Sequence, residues 1–340
     1  VIQVFFPFSS FMSLGQPHTI VSMRVLIYGG GAVGLGLASC LLKAGARVDI
    51  LAAGETVTAL GEHGLVRDGI FGEYRAGPES FTARTLFEPE QTDRYDYVLV
   101  CTKSMDTKAA AEDLARWRPV LGERVVIVLC QNGWGNAEHF LPWFPRERVY
   151  NARVITGFCR PQPHRVTVTV HADAIHVGSL YVGDLAPVAE LCRLITAGDI
   201  PCQPTEAIEK DLWAKMLYNC ALNPLGAVLG VPYGELAARE DGRAIMDSVV
   251  REVYAVMDAC GYRTHWDGAD AFLDVFYSKL VPPTAAHESS MLQDVREGRT
   301  TEIDALNGQV VDLGERHLVS VPCNRMLCRL MHFLEKKASR

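Results

Sequence analysis

A chain of 340 residues with 33 basic and 40 acidic side chains carries a net charge of −7 and is long enough for roughly two domains. Its 49% hydrophobic and 21% charged content excludes a disordered protein. The acidic balance excludes a broad phosphate-binding surface, so no nucleic-acid partner is expected, while a local basic pocket for one small anion stays open.

Residues 1–22 are rich in apolar side chains, among them Val4, Phe5, Phe6, Phe8 and Phe11. The run is too short for a bilayer crossing of about 20 residues, and Pro7 interrupts it. It has neither the basic start nor the small-residue cleavage site of a secretory signal. It is therefore set aside as a loosely ordered extension, or as sequence upstream of the functional start. With no targeting or membrane segment recognised, the cytoplasm is the expected location. The ten cysteines are scattered without C-x-x-C spacing and H-E-x-x-H is absent, so reduced thiols and no metal are expected. His171 and His176 flank a predicted hairpin and are assigned to the surface.

From Met23 the pattern is regular. Arg24-Val25-Leu26-Ile27-Tyr28 reads as a buried strand, Gly29-Gly30-Gly31 as a turn, residues 32–44 as a helix and 47–51 as a second strand, a βαβ unit. Buried strands follow at 95–101 and 124–130, each with a helical stretch after it, at 105–116 and 135–141. Residues 64–76 and 149–177 alternate like hairpins that extend or edge the sheet. Beyond about residue 205 the strand signal fades, and helical spacing runs through 206–222, 239–260, 269–280, 289–297, 301–317 and 322–337. The fold class expected is α/β: an N-terminal Rossmann-type doubly wound sheet over 23–204 and a mostly α-helical domain over 205–340, with the boundary near Pro204.

Gly29-x-Gly31-x-x-Gly34 lies between a predicted strand and a predicted helix, the context that gives this short motif meaning. The first glycine permits the turn, the second lets a pyrophosphate approach, and the third allows helix packing. With Ala32 and Val33 these residues open the helix, whose free N–H groups favour phosphate. At the end of the second strand stands Leu51-Ala52-Ala53-Gly54-Glu55, without an arginine. Glu55 is near the offset at which NAD enzymes place a ribose-binding carboxylate; a solvated loop acid is at least an equal reading, so the turn leans only faintly to NAD. Lys103 follows the third main strand and Asn132 the fourth, both at the carboxyl edge where open sheets bind ligands. A phosphate contact for Lys103 and a nicotinamide or substrate contact for Asn132 stand beside ordinary turn roles.

The most unusual segment puts Lys215, Asn219 and Asn223 at four-residue spacing on one helix face, next to an apolar face. Asparagine is a poor helix former, so two neutral amides after one lysine suggest a ligand wall with a proton donor more than a solvent stripe. Ser289 and Ser290 open a later helix, and Glu302 another. Capping and dipole roles suffice for these if each is taken alone.

Taken together, Gly29-x-Gly31-x-x-Gly34, Cys101-Thr102-Lys103-Ser104, Gln131-Asn132-Gly133, Lys215-x-x-x-Asn219-x-x-x-Asn223-Pro224, Ser289-Ser290-Met291-Leu292-Gln293-Asp294 and Thr301-Glu302-Ile303-Asp304-x-x-Asn307-Gly308 resemble, in order, the ketopantoate reductase family. The resemblance spans about residues 23–331. It implies NADPH-dependent reduction of 2-dehydropantoate to (R)-pantoate, on the route to pantothenate and coenzyme A, in a cleft between the two domains. It further implies Lys215 as general acid, Glu302 as the catalytic-site carboxylate that holds the ammonium, and Asn219, Asn223 and Ser290 as substrate contacts. Lys103 and Asn132 would line the cofactor and substrate cleft. NADP(H) is the cofactor the resemblance favours, with NAD(H) open, because Ala52 and Ala53 stand where the family commonly has an arginine. His287, three residues before Ser290, and the loop 281–288 leave room for another 2-keto acid. A cofactor-binding sensor without chemistry is the competing class. A monomer or a homodimer is expected.

Overall fold

The computed structural model describes residues 23–86 and 94–338; the expectation for residues 1–22 lies outside them. Its main sheet is built from β1 (Arg24–Tyr28), β2 (Arg47–Leu51), β5 (Thr82–Arg84), β6 (Tyr97–Val100), β7 (Val126–Leu129), β8 (Val149–Arg153), β11 (Ile175–Gly178) and β12 (Cys202–Pro204), in the spatial order β12-β11-β8-β7-β6-β1-β2-β5. The six strands β5, β2, β1, β6, β7 and β8 are all parallel and follow the Rossmann order, reversing between β1 and β6. β11 then runs antiparallel to β8.

The strands alternate with period two. Val25, Ile27, Tyr97, Leu99, Val126 and Val128 pack on one face with helix α1 (Ala32–Lys43) and helix α4 (Ala186–Ala197). Leu26, Tyr28, Val98, Val100, Ile127 and Leu129 pack on the other with helix α3 (Thr107–Leu121). This is the doubly wound arrangement that the alternation of elements predicts.

A second sheet, absent from the sequence reading, holds β3 (Leu65–Gly69), β4 (Tyr74–Ala76), β9 (Thr156–Gln162) and β10 (Arg165–His171) in the order β4-β3-β10-β9. The expected 149–177 hairpin is thus divided: β9 and β10 pair with each other and β10 joins β3, while β8 and β11 stay in the main sheet. The second sheet covers the outer side of α1, which is why Gly34 through Leu41 are all buried. Helix α2 (Gly54–His63), α4, β5 and β12 were also not read from the sequence. The stretch expected as a helix at 135–141 is instead a short 3-10 turn at Ala137–His139.

From Ile208 onward the chain is helical: α5 (Ile208–Leu229), α6 (Tyr233–Ala238), α7 (Glu240–Cys260), α8 (Ala269–Val275), α9 (Ser290–Arg296), α10 (Gln309–Arg316) and α11 (Pro322–Ala338). α8 continues into a π turn at Phe276–Leu280, and another π turn at Asp304–Gly308 leads into α10. Among the described residues no helix is long and apolar enough to cross a membrane.

α5 runs through the middle of this half, with most of its sides buried and its last residue, Leu229, exposed. It does not stop at the proline, as the 206–222 expectation had it. Pro224 has no N–H to give the carbonyl of residue 220, and the Asn307 amide supplies the missing donor, Nδ2 to Cys220 O at 3.1 Å. Asn307 is fully buried and is held in turn by Asn324 Oδ1 at 2.9 Å. We therefore expect Asn307→Ala to cost about 1–3 kcal/mol, the usual cost of an orphaned buried acceptor. Pro224→Ala restores an N–H at that point, so in a urea-denaturation cycle the second substitution should recover part of the loss.

Candidate active site

The carboxyl ends of β1, β6, β7 and β8 carry the glycine turn, the segment after Val100, Gln131-Asn132-Gly133 and Val154 respectively. α5 approaches this edge and contributes Lys215 and Asn219. A narrow crevice lies between them, lined by Gln131, Asn132, Gly133, Ala152, Leu212, Lys215, Met216 and Asn219.

At its centre the Lys215 amine donates to Asn132 Oδ1 at 2.7 Å and to the Val154 carbonyl at 2.5 Å. The other end of the same amide, Asn132 Nδ2, donates to Glu302 Oε2 at 2.8 Å. An ammonium can only donate and a carboxylate only accept, so these two partners fix the orientation of the Asn132 amide. Glu302 Oε1 accepts from the Ser104 backbone N–H at 3.1 Å and from its hydroxyl at 2.9 Å. Burial pushes the Lys215 amine down from the ordinary 10.5; the charge of Glu302 partly opposes the fall and that of Arg153 adds to it, leaving a pKa of about 8.

Two clasps hold the helical half against the sheet. Lys103 pairs with Asp294 at 2.8 Å, and Asp294 also accepts from Arg299 Nε at 2.9 Å. On the far side Asp211, one turn before Lys215, is held by His176 Nδ1 at 2.8 Å and His265 Nε2 at 2.7 Å. The packed rings of Trp134, Trp213 and Tyr262 fill the space behind, with centroids 4.8–5.2 Å apart.

The glycine turn fits a dinucleotide phosphate. Gly29 has φ +115°, in the region that favours glycine, and a Cβ on Gly34 would lie 2.0 Å from the Gly29 carbonyl oxygen. Gly31 begins α1 without a side-chain cap, and no acidic residue stands in the first turn. The N–H groups around Ala32 and Val33 are therefore left for an anion. Among the described residues no group of His, Cys, Asp and Glu is placed to hold a metal ion.

Residues 25–182 match the family described as ketopantoate reductase PanE/ApbA, and residues 207–335 match its C-terminal region. The chain belongs to the ketopantoate reductase family. It is 35% identical over 312 residues to the 2-dehydropantoate 2-reductase of Aquifex aeolicus, covering 91% of this chain and 96% of that one. Its fold matches the PanE/ApbA family ketopantoate reductase of Ralstonia eutropha with a TM-score of 0.81 at 29% identity, covering 94% of this chain and all of that one. A D-mandelate dehydrogenase solved with NADH and anilino(oxo)acetate shares the fold, with a TM-score of 0.82 over 94% of this chain and all of that one, at 22% identity.

The structure brings Lys215, Asn132 and Asn219 to one crevice, with Glu302 bonded to Asn132 beside it. Several expectations change in detail. Glu302 does not touch the ammonium directly; the Asn132 amide stands between them. Lys103 is committed to Asp294, not left free for a phosphate. Asn223 is buried and its Oδ1 accepts from the Tyr233 hydroxyl at 2.7 Å. Ser290 is exposed at the start of α9, and the buried cap is Ser289, which accepts from the Leu292 N–H at 3.0 Å. Glu55 is an exposed residue in the first turn of α2. His176 is not a surface residue: its side chain is only 14% exposed and pairs with Asp211.

Ser104, the Val154 carbonyl and the Asp211 clasp were missed. Asp211 alone had a visible signal, an acid one helical turn before Lys215. Replacing Asn132 with alanine leaves Glu302 Oε2 without its donor, and we expect a loss of about 1–3 kcal/mol in urea denaturation.

Proposed function

We propose that this protein reduces 2-dehydropantoate to (R)-pantoate, the precursor of pantothenate and coenzyme A, with NADPH as the hydride donor. The observation that carries the reading is the enclosed Lys215 ammonium, aimed into the crevice at the carboxyl edge of the sheet. Family membership supplies the substrate class. Gly29, Gly31, Ala32, Val33 and Gly34 would hold the dinucleotide's pyrophosphate against the first turn of α1. When bound, the reduced nicotinamide supplies a hydride for C2 of the keto acid.

Hydride arrival at C2 turns the carbonyl oxygen into an alkoxide. Lys215 stabilises that charge and delivers the proton to the same oxygen. Asn132 and the Val154 carbonyl take two of its N–H bonds and leave the third for the substrate. Asn219 lines the crevice and makes no side-chain hydrogen bond to another described residue, so its amide is available to the substrate's hydroxyl. Asn223 keeps an N–H pair to donate after its oxygen is used by Tyr233, and the exposed Ser290 hydroxyl suits the substrate carboxylate.

The test follows absorbance at 340 nm with ketopantoate and either NADPH or NADH; no oxidation of either cofactor refutes the reading. Lys215→Ala should lower kcat by about two to four decades, the span of a general acid that also stabilises charge. The Lys215 pKa is lowered, so its proton is lost earlier than from an ordinary lysine. Reductive kcat should therefore be level below pH 8 and fall as pH rises through about 8. Glu302→Gln removes the charge that opposes the fall, so the break should move to lower pH in the rate profile.

A further inference from the structure

The sequence shows no cation at the end of β2, yet the folded chain brings one there from the second sheet. Arg160, on β9, donates from Nη1 to the Gly30 carbonyl at 3.1 Å and to Thr56 Oγ1 at 2.9 Å. Gly30 belongs to the glycine turn and Thr56 to the first turn of α2. A Cβ on Gly30 would lie 2.5 Å from that of Ala52 and 3.2 Å from Thr56 Cγ2, so the guanidinium sits over the end of β2. In a Rossmann sheet this is where the adenine ribose is read.

The partners of Arg160 are unusual for its sheet. The other three arginines there each have a carboxylate: Arg67 with Asp199, Arg75 with Glu73, and Arg165 with Asp68. Arg160 is held by a carbonyl and a hydroxyl, which fix its position without neutralising it. Among the described residues no carboxylate pairs with it. Its Nε and Nη2 hydrogens have no acceptor among the described residues, and such a planar fork matches two oxygens of a phosphate.

We propose that Arg160 grips the 2′-phosphate of NADPH and is the residue by which this chain selects the phosphorylated dinucleotide. The proposal rests on the reading of the glycine turn as a dinucleotide site. It replaces the faint lean toward NAD that Glu55 gave in the sequence. A phosphate monoester carries a charge between −1.5 and −2 near neutral pH, and NADH offers only a neutral hydroxyl there. The discrimination is therefore electrostatic, in a protein whose net charge of −7 otherwise repels anions.

Dissociation constants of NADPH and NADH, measured by calorimetry without keto acid, test this independently of turnover. Adenosine 2′,5′-bisphosphate and ADP serve as smaller probes. Arg160→Ala should weaken NADPH and the bisphosphate by about 10- to 100-fold, the range for a lost charge-assisted hydrogen-bond pair. NADH and ADP should change by less than about threefold, and the salt dependence of NADPH binding should flatten. Arg160→Lys should retain part of the preference. Arg75→Ala, which removes an exposed cation of the same sheet, should leave both constants unchanged.

An unchanged NADPH-to-NADH ratio in Arg160→Ala overturns the proposal, and so does an equal loss for both cofactors, which would make Arg160 a latch between the sheets. Failure of the wild type to bind either dinucleotide overturns it together with the reading of the glycine turn. Binding with the expected ratio but without ketopantoate reduction supports Arg160 and refutes the substrate assignment alone.

Discussion

The ammonium of Lys215 rests against an amide and a peptide carbonyl, with its counter-charge one side chain away. Were Glu302 in direct contact, the pair would hold its proton well above neutrality, because an adjacent carboxylate favours the charged lysine. With no charge at all nearby, burial would strip the proton instead. The Asn132 amide lies between these limits. It passes the influence of Glu302 to the amine through two hydrogen bonds of 2.7 and 2.8 Å and leaves one N–H unspent. A proton donor transfers most effectively when its affinity lies near the working pH, and that is what the role proposed for Lys215 requires.

That geometry depends on elements remote from one another in sequence. Asn132 is fixed by the end of β7, Val154 by the end of β8, and Lys215 by a helix buried on nearly every side. The rigidity of α5 comes from the apolar residues around it and from the Asp211 clasp near its start. The second sheet serves the other end of the cleft. By covering α1 it buries the helix that carries the glycine turn, and it lays β9 alongside that turn.

Much of this was legible in the sequence because it is periodic or local. The strands and α1 announce themselves by apolar runs around the glycines, and Lys215, Asn219 and Asn223 by their four-residue spacing. α2 escaped because its glycines and threonines are weak helix formers and only Thr56 and Leu60 face inward. α4 has good spacing, but it lies among short strands and carries Pro187 in its first turn. The partners of the site residues were beyond reach for another reason. Glu302 meets Ser104 across 198 positions and Asn132 across 170, and no local pattern encodes such pairings. Lys103 looked like a free cation for the same reason: its acid, Asp294, stands 191 residues away.

The amide that caps the break at Pro224 ties the completion of one helix to a segment 87 residues downstream. α5 cannot finish its hydrogen bonding until the turn before α10 has settled on it, and Asn324 of α11 must hold that turn. Loop-closure entropy over such a span has to be met before the contact rewards it. The helical half is thus built to assemble all at once, and local melting near the carboxyl terminus would be felt in the helix that carries Lys215.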